Sequence, residues 1–123
     1  MSAAKLRIGT RGSALALAQA GTVAAAIGSA ELVPIATSGD QGGASHHEDA
    51  DKSRFVREIE RALLEGEIDL AVHSAKDLPI EPPDGLALVG VPPRELPADV
   101  WIGAAGSLGQ VREGARVGTS SLR

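Results

Sequence analysis

Apolar and polar positions along this chain follow first one period and then another. In "KLRIG", Leu6 and Ile8 fall on one side and Lys5 and Arg7 on the other, the two-residue period of a strand. Ser13 then precedes an Ala- and Leu-rich run, where its hydroxyl can cap a helix reaching to about Gly28. "ELVPIAT" reads as a second strand. Pro34 has no N–H to give to a ladder, which places that strand at an edge or a bulge. The polar stretch "SGDQGGASHHEDADK" reads as a loop. In "SRFVREIERALLEG", Phe55, Val56, Ile59, Ala62 and Leu63 share one helical face, and Gly66 supplies a stop. "IDLAVHS" is mostly apolar, as a central parallel strand covered on both faces would be. "GLALVGV" and "VWIGA" read as further strands, separated by a proline-rich crossing or hinge at residues 92–97. "GSLGQVREGA" reads as a loop, and "RVGTSS" as the opening of another strand–helix unit. Strands alternating with helices predict an α/β fold, with a largely parallel sheet flanked by helices.

Composition narrows the function classes. The chain has 123 residues, enough for one domain or for one domain and part of another. Hydrophobic residues make up 43% but aromatic residues only 2%, so the core must be built from Ala, Val, Leu and Ile. No apolar run reaches the roughly 18 residues of a membrane span, and the N-terminus lacks the apolar region of a secretory signal. These features predict a cytoplasmic protein with no membrane partner. The absence of cysteine excludes a disulfide, a thiolate metal site and a cysteine nucleophile. A net charge of −4 argues against a general nucleic-acid partner.

Ligands of open α/β sheets bind beyond the carboxyl ends of the strands. After the first strand stand Thr10, Arg11 and Ser13; after the second, "TSGD" ends on Asp40; after the third, "HSAKDLP" carries Ser74, Lys76 and Asp77. Thr119, Ser120, Ser121 and Arg123 follow the last apolar piece. Hydroxyls, helix-opening N–H groups and cations at several such places suit a ligand with more than one carboxylate or phosphate, and Arg adds a bidentate fork. Lys76 and Arg11 are cations that would keep Asp77 ionised, and an ionised carboxylate in a cleft can stabilise a developing cation or take up a proton. Plainer readings stand beside these. Arg11 and Ser13 also read as a solvated charge and a helix cap, and Lys76 and Asp77 as surface charges paired elsewhere. "HHED" at 46–49 has metal-ligand residue types but reads as a solvated loop, and no metal is expected. The charges of "REIER" read as an exposed face with weak i,i+4 pairs. No glycine-rich nucleotide signature occurs. "RIGTRGS" near one end and "RVGTSS" near the other echo each other, as two equivalent facing domains would.

"LRIGTRGSALALAQA", "ELVPIATSGD", "VHSAKDLP" and the terminal "VGTSSLR" closely resemble the porphobilinogen deaminases, or hydroxymethylbilane synthases, over most of residues 5–123. That resemblance implies a fold like the type II periplasmic binding proteins: two α/β domains around a cleft and a third, smaller domain. It implies a transferase that joins four porphobilinogen molecules head to tail with loss of ammonia, on the route to haem and related tetrapyrroles. Asp77 would be the catalytic carboxylate. Arg11, Ser13, Ser74, Lys76, Thr119, Ser120, Ser121 and Arg123 would hold the carboxylates of substrate or cofactor. Lys52 and Phe55 match a mobile-loop motif, although "DKSRF" departs from its usual Gly-Lys-Gly-Leu-Phe, and Ser38 stands where an arginine is common. The implied cofactor is dipyrromethane, attached in the family through a cysteine of the third domain, and this chain has no cysteine. The expectation is therefore an N-terminal portion: residues 1–93 as a first domain lacking its returning segment, and 94–123 as the hinge and start of an incomplete second. Such a chain is expected to be inactive alone. Its partners would be porphobilinogen and its oligomers, with the C-terminal part or a second copy as macromolecular partners. A non-catalytic polycarboxylate-binding module and half of a split enzyme remain as alternatives.

Overall fold

In the computed structural model, residues 5–41 and 52–119 are described, and the chain divides into two compact units, 1–92 and 93–123. The first unit holds all the strands and α-helices found among these residues. Strand β1 (Leu6–Thr10) runs into helix α1 (Ala14–Ile27), which returns to strand β2 (Ala30–Pro34). Both ends of α1 are set by residues legible in the sequence. Ser13 is the N-cap, its Oγ accepting from the Ala16 N–H at 3.4 Å, and Gly28 closes the other end at a φ of 88°, a conformation open to glycine. A short helix α2 (Ser38–Gln41) follows where a loop was expected.

The expected helix of "SRFVREIERALLEG" is broken in two. A 3-10 turn, Lys52–Phe55, gives way at Val56 to helix α3 (Arg57–Leu64), and Gly66 ends it at a φ of 72°. Strand β3 (Leu70–Ala71) completes a three-stranded sheet in the order β2-β1-β3, with both pairings parallel. Pro34 sits at the end of the edge strand β2, paired with Thr10.

The sheet is covered by α1, which packs on β1 and β2, and by α3, which packs on β1 and β3. Ile59 and Ala62 of α3 join Ile68 in a buried cluster, with Val33, Ile35, Leu63 and Ala71 packed around it. Gly9 faces this cluster, and a Cβ there would run into Ile68. Ile8, one residue earlier and fully buried, points to the opposite face.

Several expected strands do not form. "IDLAVHS" contributes only two ladder residues, and Leu70 to Ser74 are half-buried rather than covered on both faces. "GLALVGV" and "VWIGA" have no regular structure, with Leu88, Val89, Val100 and Ile102 largely exposed, and residues 116–119 form no strand. A strand exists only through its neighbours, and these segments have no ladder partner among the described residues. Among its described residues the second unit has a single 3-10 turn, Leu108–Gln110, inside the stretch read as a loop. No helix among the described residues is long and apolar enough to cross a membrane.

Candidate functional site

The carboxyl end of β1 is gripped from both sides. The Ile35 N–H donates to the Thr10 carbonyl at 2.8 Å, and the Val72 N–H donates to the Gly9 carbonyl at 3.1 Å. The sheet therefore delivers three chain segments to one edge: Arg11–Ser13 entering α1, Thr37–Asp40 at α2, and His73–Asp77 after β3. The last of these closes into a 3-10 turn at Ala75–Asp77, with the Asp77 N–H donating to the Ser74 carbonyl at 2.9 Å. The turn ends at Leu78 in extended backbone, as the following Pro79 requires.

A cleft of about 80 Å³ opens between the first and last of these segments, lined by Arg11, Ser13, Gln19, Phe55 and the run from Val72 through Ser74 to Lys76 and Asp77. Lys76 is exposed at its rim and Asp77 is half-buried. The Ser74 hydroxyl donates to Gln19 Oε1 at 3.0 Å, tying the β3 exit to α1. His73 is in the same wall. Burial pushes its imidazole below the ordinary value, opposed by Asp77 and assisted by Arg11, so the neutral form is favoured.

Arg11 is not free. Its Nε donates to Asp40 Oδ1 at 3.1 Å and Oδ2 at 3.3 Å, its Nη2 also donates to Asp40, and its guanidinium lies 4.3 Å from the centre of the Phe55 ring. Thr37, fully buried, donates from Oγ1 to Asp40 Oδ2 at 2.6 Å. Hydrogen bonds from Arg11 hold the Asp40 carboxyl below its ordinary range; burial works against this and Thr37 supports it. Asp40 in turn raises Arg11. Arg11 is expected from the sequence as a cation near Asp77; the carboxylate it grips is Asp40.

Six expected residues, Arg11, Ser13, Phe55, Ser74, Lys76 and Asp77, thus meet at one cleft. The Lys52 backbone opens the 3-10 turn that ends at Phe55, and its side chain lies outside the described residues. Ser120, Ser121 and Arg123 lie outside them as well, as does "HHED". Thr119 belongs to the second unit, on the border of a wide hollow of about 1130 Å³ with Trp101, Arg112 and Arg116. No strand or α-helix fixes the walls of that hollow. Among the described residues, no group of three or more metal-ligating side chains occurs.

Sequence reasoning missed Thr37, Gln19, His73 and Glu58. Gln19 falls on the α1 face that Ser13 and Ala16 begin, and this spacing was its signal. Glu58 was placed on a solvated face. It is half-buried instead, with Oε1 accepting the Ser38 N–H at 3.0 Å and Oε2 buried without a hydrogen-bond partner among the described residues.

Comparison with known proteins bears on this arrangement. A family model described as "Porphobilinogen deaminase, dipyromethane cofactor binding domain" matches residues 6–123. The porphobilinogen deaminase of Caulobacter sp. (strain K31) is 47% identical over 138 aligned residues, covering 100% of this chain and 43% of the relative. That of Syntrophus aciditrophicus (strain SB) is 48% identical over 96% of this chain and 41% of its own length. That of Thermus thermophilus is 50% identical over 94% of this chain and 40% of its own length. The chain spans about two fifths of the length of these relatives.

Proposed function

The chain belongs to the porphobilinogen deaminase family, and from that membership we propose that it supplies the first-domain wall of a hydroxymethylbilane synthase. The proposed whole is like the type II periplasmic binding proteins, with residues 1–93 as most of the first domain and 94–123 as hinge and beginning of the second. The observation that carries the proposal is the gathering of Arg11, Ser13, Ser74 and Lys76 around Asp77 at the carboxyl edge of a parallel sheet.

Porphobilinogen carries an acetate and a propionate. Lys76 meets a carboxylate as a point charge and Ser13 as a hydroxyl donor. Arg11 has its Nη1 edge left after Asp40 takes Nε and Nη2. Asp77 is a half-buried carboxylate with no proton to give when ionised. Its role is to stabilise positive charge on the pyrrole nitrogen as ammonia leaves and as the next ring adds. The same donors fit the carboxylates of dipyrromethane, which when bound supplies the pyrrole terminus from which the product grows. Without a cysteine, this chain forms no thioether to that cofactor, and by itself it makes no hydroxymethylbilane.

The test is a calorimetric titration of porphobilinogen into the chain. Saturable binding is expected, weakened about tenfold or more by Lys76→Ala, the loss of one charge-assisted hydrogen bond. Asp77→Asn should leave that binding in place. It should abolish ammonia release once the chain is joined to the remaining three fifths of a relative such as the Caulobacter sp. enzyme. Absence of binding refutes the carboxylate wall, and full turnover by the Asp77→Asn hybrid refutes the catalytic role.

A further inference from the structure

Arg11 can present a fixed edge to a ligand only if Asp40 is itself fixed, and Asp40 sits on α2, a single helical turn. A helix of four residues has no stability of its own, so other groups must hold it. Three contacts do so, all from the segment 54–58. The Ser38 hydroxyl donates to the Arg54 carbonyl at 3.3 Å. Gly39 lies against the Phe55 ring so closely that a Cβ would overlap it. The Ser38 N–H, an orphan donor at the start of α2, is taken by Glu58 Oε1 at 3.0 Å. Glu58 is anchored in its turn, because its neighbours Val56 and Ile59 are fully buried in the core.

We propose that Glu58 is a positioning residue of the cleft: it holds the α2 turn by its Ser38 N–H, and through Asp40 sets the guanidinium of Arg11 for a ligand carboxylate. The inference rests on the carboxylate-binding reading above for its functional meaning, but the relay itself is a property of the protein alone. The buried, unpartnered Oε2 favours the role. A carboxylate oxygen held out of water without a hydrogen-bond partner costs free energy, so the placement of Glu58 is explained by what its other oxygen holds. Burial pushes this carboxyl up, yet the N–H groups of Glu58 and Ser38 bring it below the ordinary value, so it is ionised when it accepts.

The first measurement is the solvent exchange of the Arg11 Nε–H in the nitrogen-15-labelled chain, assigned by its disappearance in Arg11→Lys. Asp40→Asn, which removes the direct partner, sets the scale of the effect. Glu58→Ala should speed exchange on the order of fivefold, because the guanidinium regains rotamer freedom. Glu58→Gln, whose amide oxygen still accepts from Ser38, should restore the slow rate. Should Glu58→Ala fail to fold, Glu58→Asp withdraws the carboxylate by one methylene and should give the same acceleration. Exchange unchanged in the alanine or aspartate variant, while Asp40→Asn speeds it, overturns the relay; so does equal acceleration in Glu58→Gln.

The second measurement is porphobilinogen affinity. Glu58→Ala should weaken it by about two- to tenfold in the wild-type background and leave it unchanged where Arg11 is already alanine. An equal loss in both backgrounds overturns the proposal. If the wild-type chain binds no porphobilinogen, the functional reading fails, while the exchange measurement still decides whether Glu58 positions Arg11.

Discussion

Replacing Asp40 by asparagine tests the central geometry most directly. The carboxylate accepts from Arg11 Nε and Nη2 and from the Thr37 hydroxyl, and the Arg11 and Asp40 side chains are 24% and 29% exposed. Exposed ion pairs are worth about 0–1 kcal/mol, and breaking a fully buried pair costs about 3–5 kcal/mol. This pair lies between the two, so Asp40→Asn should cost about 2 kcal/mol. Asparagine retains one oxygen but turns an NH₂ group toward donors that need an acceptor.

The assay is urea unfolding followed by far-UV circular dichroism, for wild type, Asp40→Asn, Arg11→Ala and the double variant. The coupling between the two positions should exceed about 1 kcal/mol; additivity within about 0.5 kcal/mol would refute the pairing. The pH dependence has a definite sign. Asp40 has its native pKa held below the ordinary 3.8, so its stabilisation is complete above that value and is lost as pH falls through the native one. The gap between wild type and Asp40→Asn should therefore close only in acid below 3.8.

Two further outcomes follow from the same contacts. Gly39→Ala should lower thermal stability by about 1–3 kcal/mol, because the new methyl meets the Phe55 ring. The cost should shrink when Phe55 is also alanine, and an undiminished cost would show that the clash is elsewhere. At the other end of the sheet, Arg7 donates to both oxygens of Asp69 and to the Gly66 carbonyl. These bonds bring Asp69 down to about 2 from an ordinary 3.8. Its contribution is full above 3.8 and fades as pH falls toward 2, so Asp69→Asn should flatten acid denaturation across that interval; an unchanged acid profile would refute the assignment.

What was legible in the sequence was what local chemistry determines. Ser13 and Gly28 bracket α1 because a cap and a left-handed stop act within a few residues. The apolar face of α3 emerges from periodicity, and Gly66 ends that helix as read. "GLALVGV" misled because strand propensity needs a partner, and Leu88, Val89 and Val91 lie exposed. Glu58 was misread for a related reason. Charge pattern identifies the face of a helix that avoids the core, but not a backbone from twenty positions earlier that settles on that face. The cleft was legible as a list of strand ends, and its pairings were not. Arg11 is bound to Asp40, and Thr37 braces the same carboxylate by donating to it from a fully buried position, a contact between segments that no local pattern announces.

That pairing changes how the cleft can recognise an anion. Of the charged side chains lining the cleft, Arg11 is ion-paired to Asp40, which stands outside the lining and takes up part of the attraction Arg11 could exert on a carboxylate at a distance. What the cleft has is direction. Arg11 is held by Asp40 on one edge and covered by Phe55 at 4.3 Å, which leaves a preset remainder of its fork. Ser13 opens a fourteen-residue helix whose first N–H groups are committed only in part, Ala16 N–H going to the Ser13 hydroxyl. A site that pairs its arginine gives up part of its long-range attraction, and what it keeps is donors whose ordering cost was met on folding. In this arrangement Asp40, held by Thr37, does as much to define the site as the residues that line the cleft.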